Sequence, residues 1–282
     1  MRIALALLLT CLPLWAQVPQ RVMQDLVAVA GMPAPTGGGE GPTYSPTNAV
    51  AGCVFWITSD SISAGQGDPI SSVSDWSGLG NDATAVVDQE PTYNADQLNG
   101  YPSLYFTNAV LTANGVATNA SGNGCDITIF ETLKVVSQDQ GSLYFWHFAN
   151  SGSSTPYIGF SDYSSNLRLY LRARADAGDC TIGQLYSGGE RDLTNYALVV
   201  NVITTTNWTV YTNGVQFAQG TTDTTCARTI DRFGIGATYG GTYGINADMV
   251  DMSIFAGALS SADRHYIETN YYAAKYGLPI VP

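Results

Sequence analysis

Thr209-Val210-Tyr211-Thr212-Asn213-Gly214-Val215-Gln216-Phe217-Ala218 is the stretch that decides the fold class. Two short runs of strand-forming residues flank Asn-Gly, the pair that best tolerates positive φ at both central positions of a type I′ turn. The stretch therefore reads as a tight antiparallel hairpin. Asn99-Gly100, ahead of a strand through Thr107, is a second turn of the same chemistry. Outward from these turns, apolar runs of strand length recur: Cys53 to Thr58, Ser103 to Thr107, Asp126 to Val136, Ser142 to Ala149, Tyr157 to Ser161 and Leu167 to Ala173. Further runs follow at Tyr196 to Ile203, Trp208 to Thr212, Val215 to Ala218, Arg232 to Ala237 and Met249 to Phe255. No helix-period segment is read between them, and no fixed repeat that would signal a propeller or solenoid. Short strands at this spacing build a sandwich.

The composition agrees. Charged residues are 12% of the chain against 45% hydrophobic, with 17 Tyr and 30 Gly, which favours strands and tight turns over amphipathic helices. With 11 Lys plus Arg against 23 Asp plus Glu, the formal charge is −12. No basic stripe exists to neutralise phosphates, which argues against a nucleic-acid partner.

Arg2, the apolar run Ile3 to Leu14 and the small Ala16 read as a signal peptide over 1–16, too short for the roughly 20 apolar residues of a membrane span. The expected localisation is secreted or cell-surface. Residues 17–49 read as an N-terminal segment and linker, rich in Pro and Gly around Gly37-Gly38-Gly39. The β-sandwich domain then occupies 50–282. Near its end, Ser260 is placed as an N-cap with Asp263 at the third helical position, and Ile267, Tyr271 and Ala274 form a helical stripe that Gly277 and Pro279 stop. One C-terminal helix with one apolar stripe is expected to cap the sandwich. In an oxidising compartment, Cys53, Cys125, Cys180 and Cys226 are disulfide candidates with pairing open.

Catalytic patterns find little support. Glycosidases need two carboxyls flanking the scissile bond, and Glu40, Glu90, Glu131, Glu190 and Glu268 are scattered along the chain. The histidines, His147 and His265, lack the base-plus-orienter context of a nucleophile mechanism. Strand alternation places His147 with Phe145 on one face, opposite Tyr144, Trp146 and Phe148. Calcium takes oxygen ligands from carboxylates and amides; Asp75, Asn81 and Asp82 in one Gly-rich loop are its candidates, and calcium is the one cofactor considered. Tyr163, Tyr239 and Tyr243, in loops of small residues, are candidate platforms for sugar rings.

The order of several motifs carries a resemblance. Val54-Phe55-Trp56-Ile57, Gly67-Asp68-Pro69, Asp75-Trp76-Ser77-Gly78-Leu79-Gly80-Asn81-Asp82-Ala83-Thr84, Leu98-Asn99-Gly100-Tyr101-Pro102, the hairpin at Asn213-Gly214 and Lys275-Tyr276-Gly277-Leu278 occur in sequence. Together they resemble the laminin-G-like, concanavalin A-like lectin/glucanase superfamily domain of secreted bacterial and phage proteins. Thr107, and Asp60 behind Thr58 and Ser59, depart from that pattern at its aspartates. The resemblance implies an all-β, antiparallel two-sheet jelly roll. The expected function is non-catalytic recognition, with a glycan or an extracellular protein as partner, in carbohydrate binding or adhesion. The alternatives are a structural module of a surface or virion assembly and, further off, a glycoside hydrolase.

Overall fold

The computed structural model describes residues 45–119, 126–137, 143–149, 158–162, 169–173, 193–204, 206–221, 231–237 and 244–281. The chain divides into the units Met1–Gly41 and Pro42–Pro282. The signal peptide and nearly all of the linker lie outside the described residues. After a short helix α1 (Pro46–Ala49) come β1 (Cys53–Thr58), β2 (Ser72–Val73), β3 (Ala83–Ala85), β4 (Thr92–Leu98), β5 (Tyr101–Thr107) and β6 (Leu111–Thr112). Helix α2 (Asn114–Asn119) precedes β7 (Ile127–Ser137), β8 (Leu143–Ala149), β9 (Ile158–Asp162), β10 (Leu169–Ala173), β11 (Ala197–Ile203) and β12 (Asn207–Thr212). The series closes with β13 (Val215–Thr221), β14 (Arg232–Ile235), β15 (Asn246–Ala256) and the C-terminal helix α3, beginning Ser261–Ile267. The short α2 is a helix where only strands were expected.

These strands form two antiparallel sheets, so the chain is a β-sandwich. The larger runs β13-β12-β11-β7-β15-β5-β4, and β1 also pairs with β15. β15 meets β5 through Asn246 to Met249 and β1 through Asp251 to Phe255, with a bulge between. The smaller sheet runs β10-β9-β8-β14-β6-β3-β2. Both Asn-Gly turns have the expected geometry: φ is 49° at Asn213 and 84° at Gly214, and 51° at Asn99 and 86° at Gly100.

The larger sheet is buried on both faces. One face sends Phe55, Phe106, Ile129, Val199, Trp208 and Ile254 against Phe145, Trp146, Phe148, Phe233 and Ile235 of the smaller sheet. The other sends Phe130, Leu198, Val200, Val250 and Phe255 against Ile267, Tyr271, Tyr272 and Tyr276 of the C-terminal segment. Two-sided burial explains why β7, β11 and β15 are buried along nearly their whole length and not at alternate residues. Each large side chain so buried contributes about 1.5–3 kcal/mol.

Helix α3 starts as expected, with Ser260 Oγ accepting from Asp263 N at 3.1 Å, and ends at Gly277 in the left-handed region, φ 66°. Its stripe differs from the expected one. Glu268–Ala273 forms a π turn before Ala274–Tyr276 resumes the α-helix. The wider turn admits an extra residue, so consecutive Tyr271 and Tyr272 both face the sheet, Tyr276 follows, and Ala274 is exposed.

A second register shift corrects the reading of β8. A bulge between Tyr144 and Trp146 puts Phe145, Trp146 and Phe148 in the inter-sheet core. Tyr144 and His147 share the opposite face, their rings 6.2 Å apart. Cross-strand Gly159 and Gly234 flank His147, and a methyl group on Gly234 would overlap the imidazole.

Candidate functional site

The loop from Asp75 to Asp82, between β2 and β3, is built around one carboxylate. Asp75 Oδ1 accepts from Trp56 N at 3.0 Å and Ser77 N at 2.8 Å. Its Oδ2 accepts from Ser77 Oγ at 2.7 Å and Asn81 N at 2.9 Å. The Ser77 contacts are a local aspartate turn; the Trp56 contact fastens the loop to β1. Trp76 N donates to Trp56 O at 2.7 Å, and Asp75 N to Asp82 Oδ1 at 2.8 Å, closing the loop's base. Gly78 and Gly80 turn the tip with φ of 87° and 73°. This latch displays two apolar side chains: Trp76 is 53% and Leu79 52% exposed.

The oxygen donors expected to take calcium serve the loop itself. Asp75 holds backbone N–H groups and one hydroxyl, and Asp82 braces Asp75. Asn81 turns inward, donating from Nδ2 to Val54 O at 3.0 Å. Its Oδ1 packs where a side chain at Gly115 would stand, so α2 needs glycine there. Among the described residues no group of three His, Cys, Asp or Glu is placed to hold a metal ion. Tyr163, Tyr239 and Tyr243 lie outside the described residues, as do Cys125, Cys180 and Cys226. Cys53 is a free thiol among the described residues, and the three cysteines expected as its candidate partners lie outside them. It packs against the helix-side layer, and desolvation pushes its pKa up to about 12, which keeps it a poor nucleophile.

Among the described residues, Glu131, His147, Asp251 and Glu268 are titratable groups buried inside the fold. Glu131 on β7 faces the smaller sheet; its Oε1 accepts from Trp146 Nε1 and, at 3.4 Å, from Asn201 Nδ2. Asn201 in turn accepts from Trp208 Nε1 at 3.2 Å. Burial raises the Glu131 pKa to about 8, against the lowering effect of the Trp146 hydrogen bond. Desolvation lowers His147 to about 4, opposed by a hydrogen bond to the Ala237 backbone, so its imidazole is neutral at physiological pH.

Asp251 on β15 lies under the C-terminal segment. Tyr271, Tyr276 and Tyr272 donate their hydroxyls to it at 2.6, 2.7 and 3.1 Å, and Trp56 Nε1 at 3.4 Å. Lys275 Nζ stands 3.8 Å from Asp251 and 3.0 Å from Asp60. Burial raises the Asp251 pKa, while Lys275 and then the tyrosine hydrogen bonds pull it down. Glu268 is likewise committed, to Arg264 and to His265 Nδ1 at 3.5 Å. Glu131 and Asp251 tie elements of the fold together, whereas Glu268 is held within its own helix.

Comparison with known proteins places the fold. No protein-family model matches the chain, and no curated protein does. Solved structures do match. A Trypanosoma rangeli sialidase in complex with sialic acid is 15% identical with a TM-score of 0.57, covering 88% of this chain and 38% of the sialidase. The binding domain of botulinum neurotoxin DC in complex with SialylT is 12% identical with a TM-score of 0.56, covering 79% of this chain and 52% of that one. Domain 4 of an extracellular arabinanase from Geobacillus stearothermophilus, in complex with arabinotriose, is 14% identical with a TM-score of 0.52, covering 75% of this chain and 96% of that domain. At these identities the likeness is one of sandwich fold. The chain spans well under two thirds of the sialidase and of the toxin domain.

Proposed function

We propose that this chain is an exported recognition module that binds glycan and does not turn it over. The observation that carries the reading is the loop from Asp75 to Asp82: four hydrogen bonds to one carboxylate hold it, and it presents Trp76 to solvent. A rigid, exposed indole on a braced loop is a stacking surface whose ordering cost is met in the free protein. The non-catalytic half of the reading rests on two of the three described glutamates, 131 and 268, which are enclosed and engaged in structural contacts, while Glu90 is half-buried. A glycosidase needs such groups open to a cleft. The fold adds support: one matching structure holds sialic acid and another arabinotriose.

A glycan array with the purified chain should give saturable binding, while reducing-end assays on the bound sugars release no product. Product release that disappears on a single carboxylate substitution would refute the non-catalytic half; silence across the array would refute glycan binding.

A further inference from the structure

We infer that Trp76 is the stacking platform for a neutral sugar ring, with Asp82 accepting that ring's hydroxyls; this rests on the glycan-binding reading above and names its contact and ligand class. Three features of the loop lead there.

The first is area. Trp76 and Leu79, each about half exposed, offer together on the order of 200 Å² of apolar surface. A standard protein–protein interface takes about 800 Å² from each partner. The patch is far too small for that and matches one face of a pyranose or furanose ring.

The second is shape. The residues following Trp76 and around Leu79 are the small Ser77, Gly78 and Gly80, and about half of the Trp76 side chain is open to solvent. Both glycines hold positive φ, and Asp75 fixes the backbone on either side of the tip. The platform is therefore rigid as well as open, the combination that lowers the entropy cost of docking.

The third is charge. Asp75 and Asp82 make the loop anionic, within a chain of net charge −12. Among the described residues, Lys134, Arg264 and Lys275 are each ion-paired with carboxylates, at Asp248, Glu268 and Asp60 respectively. A sugar bearing its own carboxylate meets like charge at this loop. A neutral sugar meets an acceptor instead: Asp82 is exposed, and the hydrogen bond to Asp75 N occupies its Oδ1. The second oxygen can accept hydroxyls, a charge-assisted bond.

The test uses the full chain with arabinotriose and lactose as neutral probes and sialyllactose as the acidic one, read by titration calorimetry. Neutral binding should fall about tenfold or more in Trp76→Ala and only a few-fold in Trp76→Phe, which keeps a ring. Asp82→Asn retains the latch to Asp75 N and should weaken binding several-fold, with melting temperatures unchanged in all three. Sialyllactose should bind no more tightly than lactose. Wild-type affinity in Trp76→Ala would overturn the inference while leaving glycan binding intact, and a clear preference for sialyllactose would overturn the neutral ligand class. Absence of binding to every sugar, with a protein partner captured at this loop instead, would overturn the inference and the glycan reading together.

Discussion

Glu131 and Asp251 stand on the adjacent strands β7 and β15, are both buried, and face opposite layers. Glu131 enters the core between the sheets, where its facing neighbours are apolar or indole side chains. Two N–H groups reach its Oε1, and among the described residues nothing donates to its Oε2. Asp251 enters the helix-side layer, where the π turn swings two consecutive tyrosines toward it and Tyr276 adds a third hydroxyl. The difference is one of supply. A facing strand offers one side chain every second residue, whereas a widened helical turn concentrates donors on one spot. Buried carboxyls in these two layers therefore carry opposite consequences: Glu131 is a protonated group the core tolerates, and Asp251 is a hub the helix needs.

The largest expected effect is removal of the hub. Asp251→Ala leaves three tyrosine hydroxyls and the Lys275 ammonium without their common acceptor, and should cost about 3–5 kcal/mol in denaturant unfolding. A loss below ~1 kcal/mol would show that the layer holds by apolar burial alone.

Next comes pH. The Glu131 folded pKa, about 8, lies above the free value of 4.5. Its favourable state is thus fully present below 4.5 and is lost as pH rises through 8, at up to about 1.4 kcal/mol per pH unit. His147 runs the other way: its folded value of about 4 lies below the free 6.5. Stability is therefore lost as pH falls from 6.5 through 4, with a similar slope. Between 4.5 and 6.5 the two slopes oppose, so unfolding free energy should plateau there. Glu131→Gln removes one of the opposing slopes, so stability should then rise with pH up to about 6.5 and level off above it; an unchanged alkaline slope would assign it to other groups, Asp251 included.

Smaller again is Gly234→Ala, whose methyl group would meet the buried His147 ring and should lower stability by about 1–3 kcal/mol. The smallest is Tyr272→Phe, which removes one of the hub's hydroxyls and the bond to Ser253 Oγ at 2.8 Å. About 1 kcal/mol is expected, and the ring's stacking on Phe130 at 5.6 Å should survive.

Much of this architecture was legible in the residues. The Asn-Gly turns, the long strands and the Ser260 cap are specified by local backbone demands, and they occur where the sequence places them. β2, β3 and β6 were not legible, because strands of two or three residues carry no period. β4, Thr-Tyr-Asn-Ala-Asp-Gln-Leu, is too polar to read as a strand and is one because it lies at the sheet's edge. The candidate site was half legible. Its segment stood out for its Asp, Asn and Gly, and attention went to the oxygens as metal ligands. The feature missed was Trp76. Its exposure depends on the loop being fastened across to Trp56, a contact between residues some twenty positions apart that no local pattern announces.

The sequence by itself determined the fold class, the hairpin turns and the start and stop of the last helix. Each of these follows from what a residue and its near neighbours can do: positive φ at Asn-Gly, a serine hydroxyl capping an N–H, a left-handed glycine. Tertiary structure alone decided the bulge that brought Phe145 into the core and set Tyr144 beside His147, the π turn that brought Tyr272 in and Ala274 out, and the exposure of Trp76. These depend on partners far along the chain, such as Gly159 and Gly234 beside His147 or Asp251 beneath the tyrosines. A one-residue shift in register reverses which face a side chain takes, and only the packed partner selects the register.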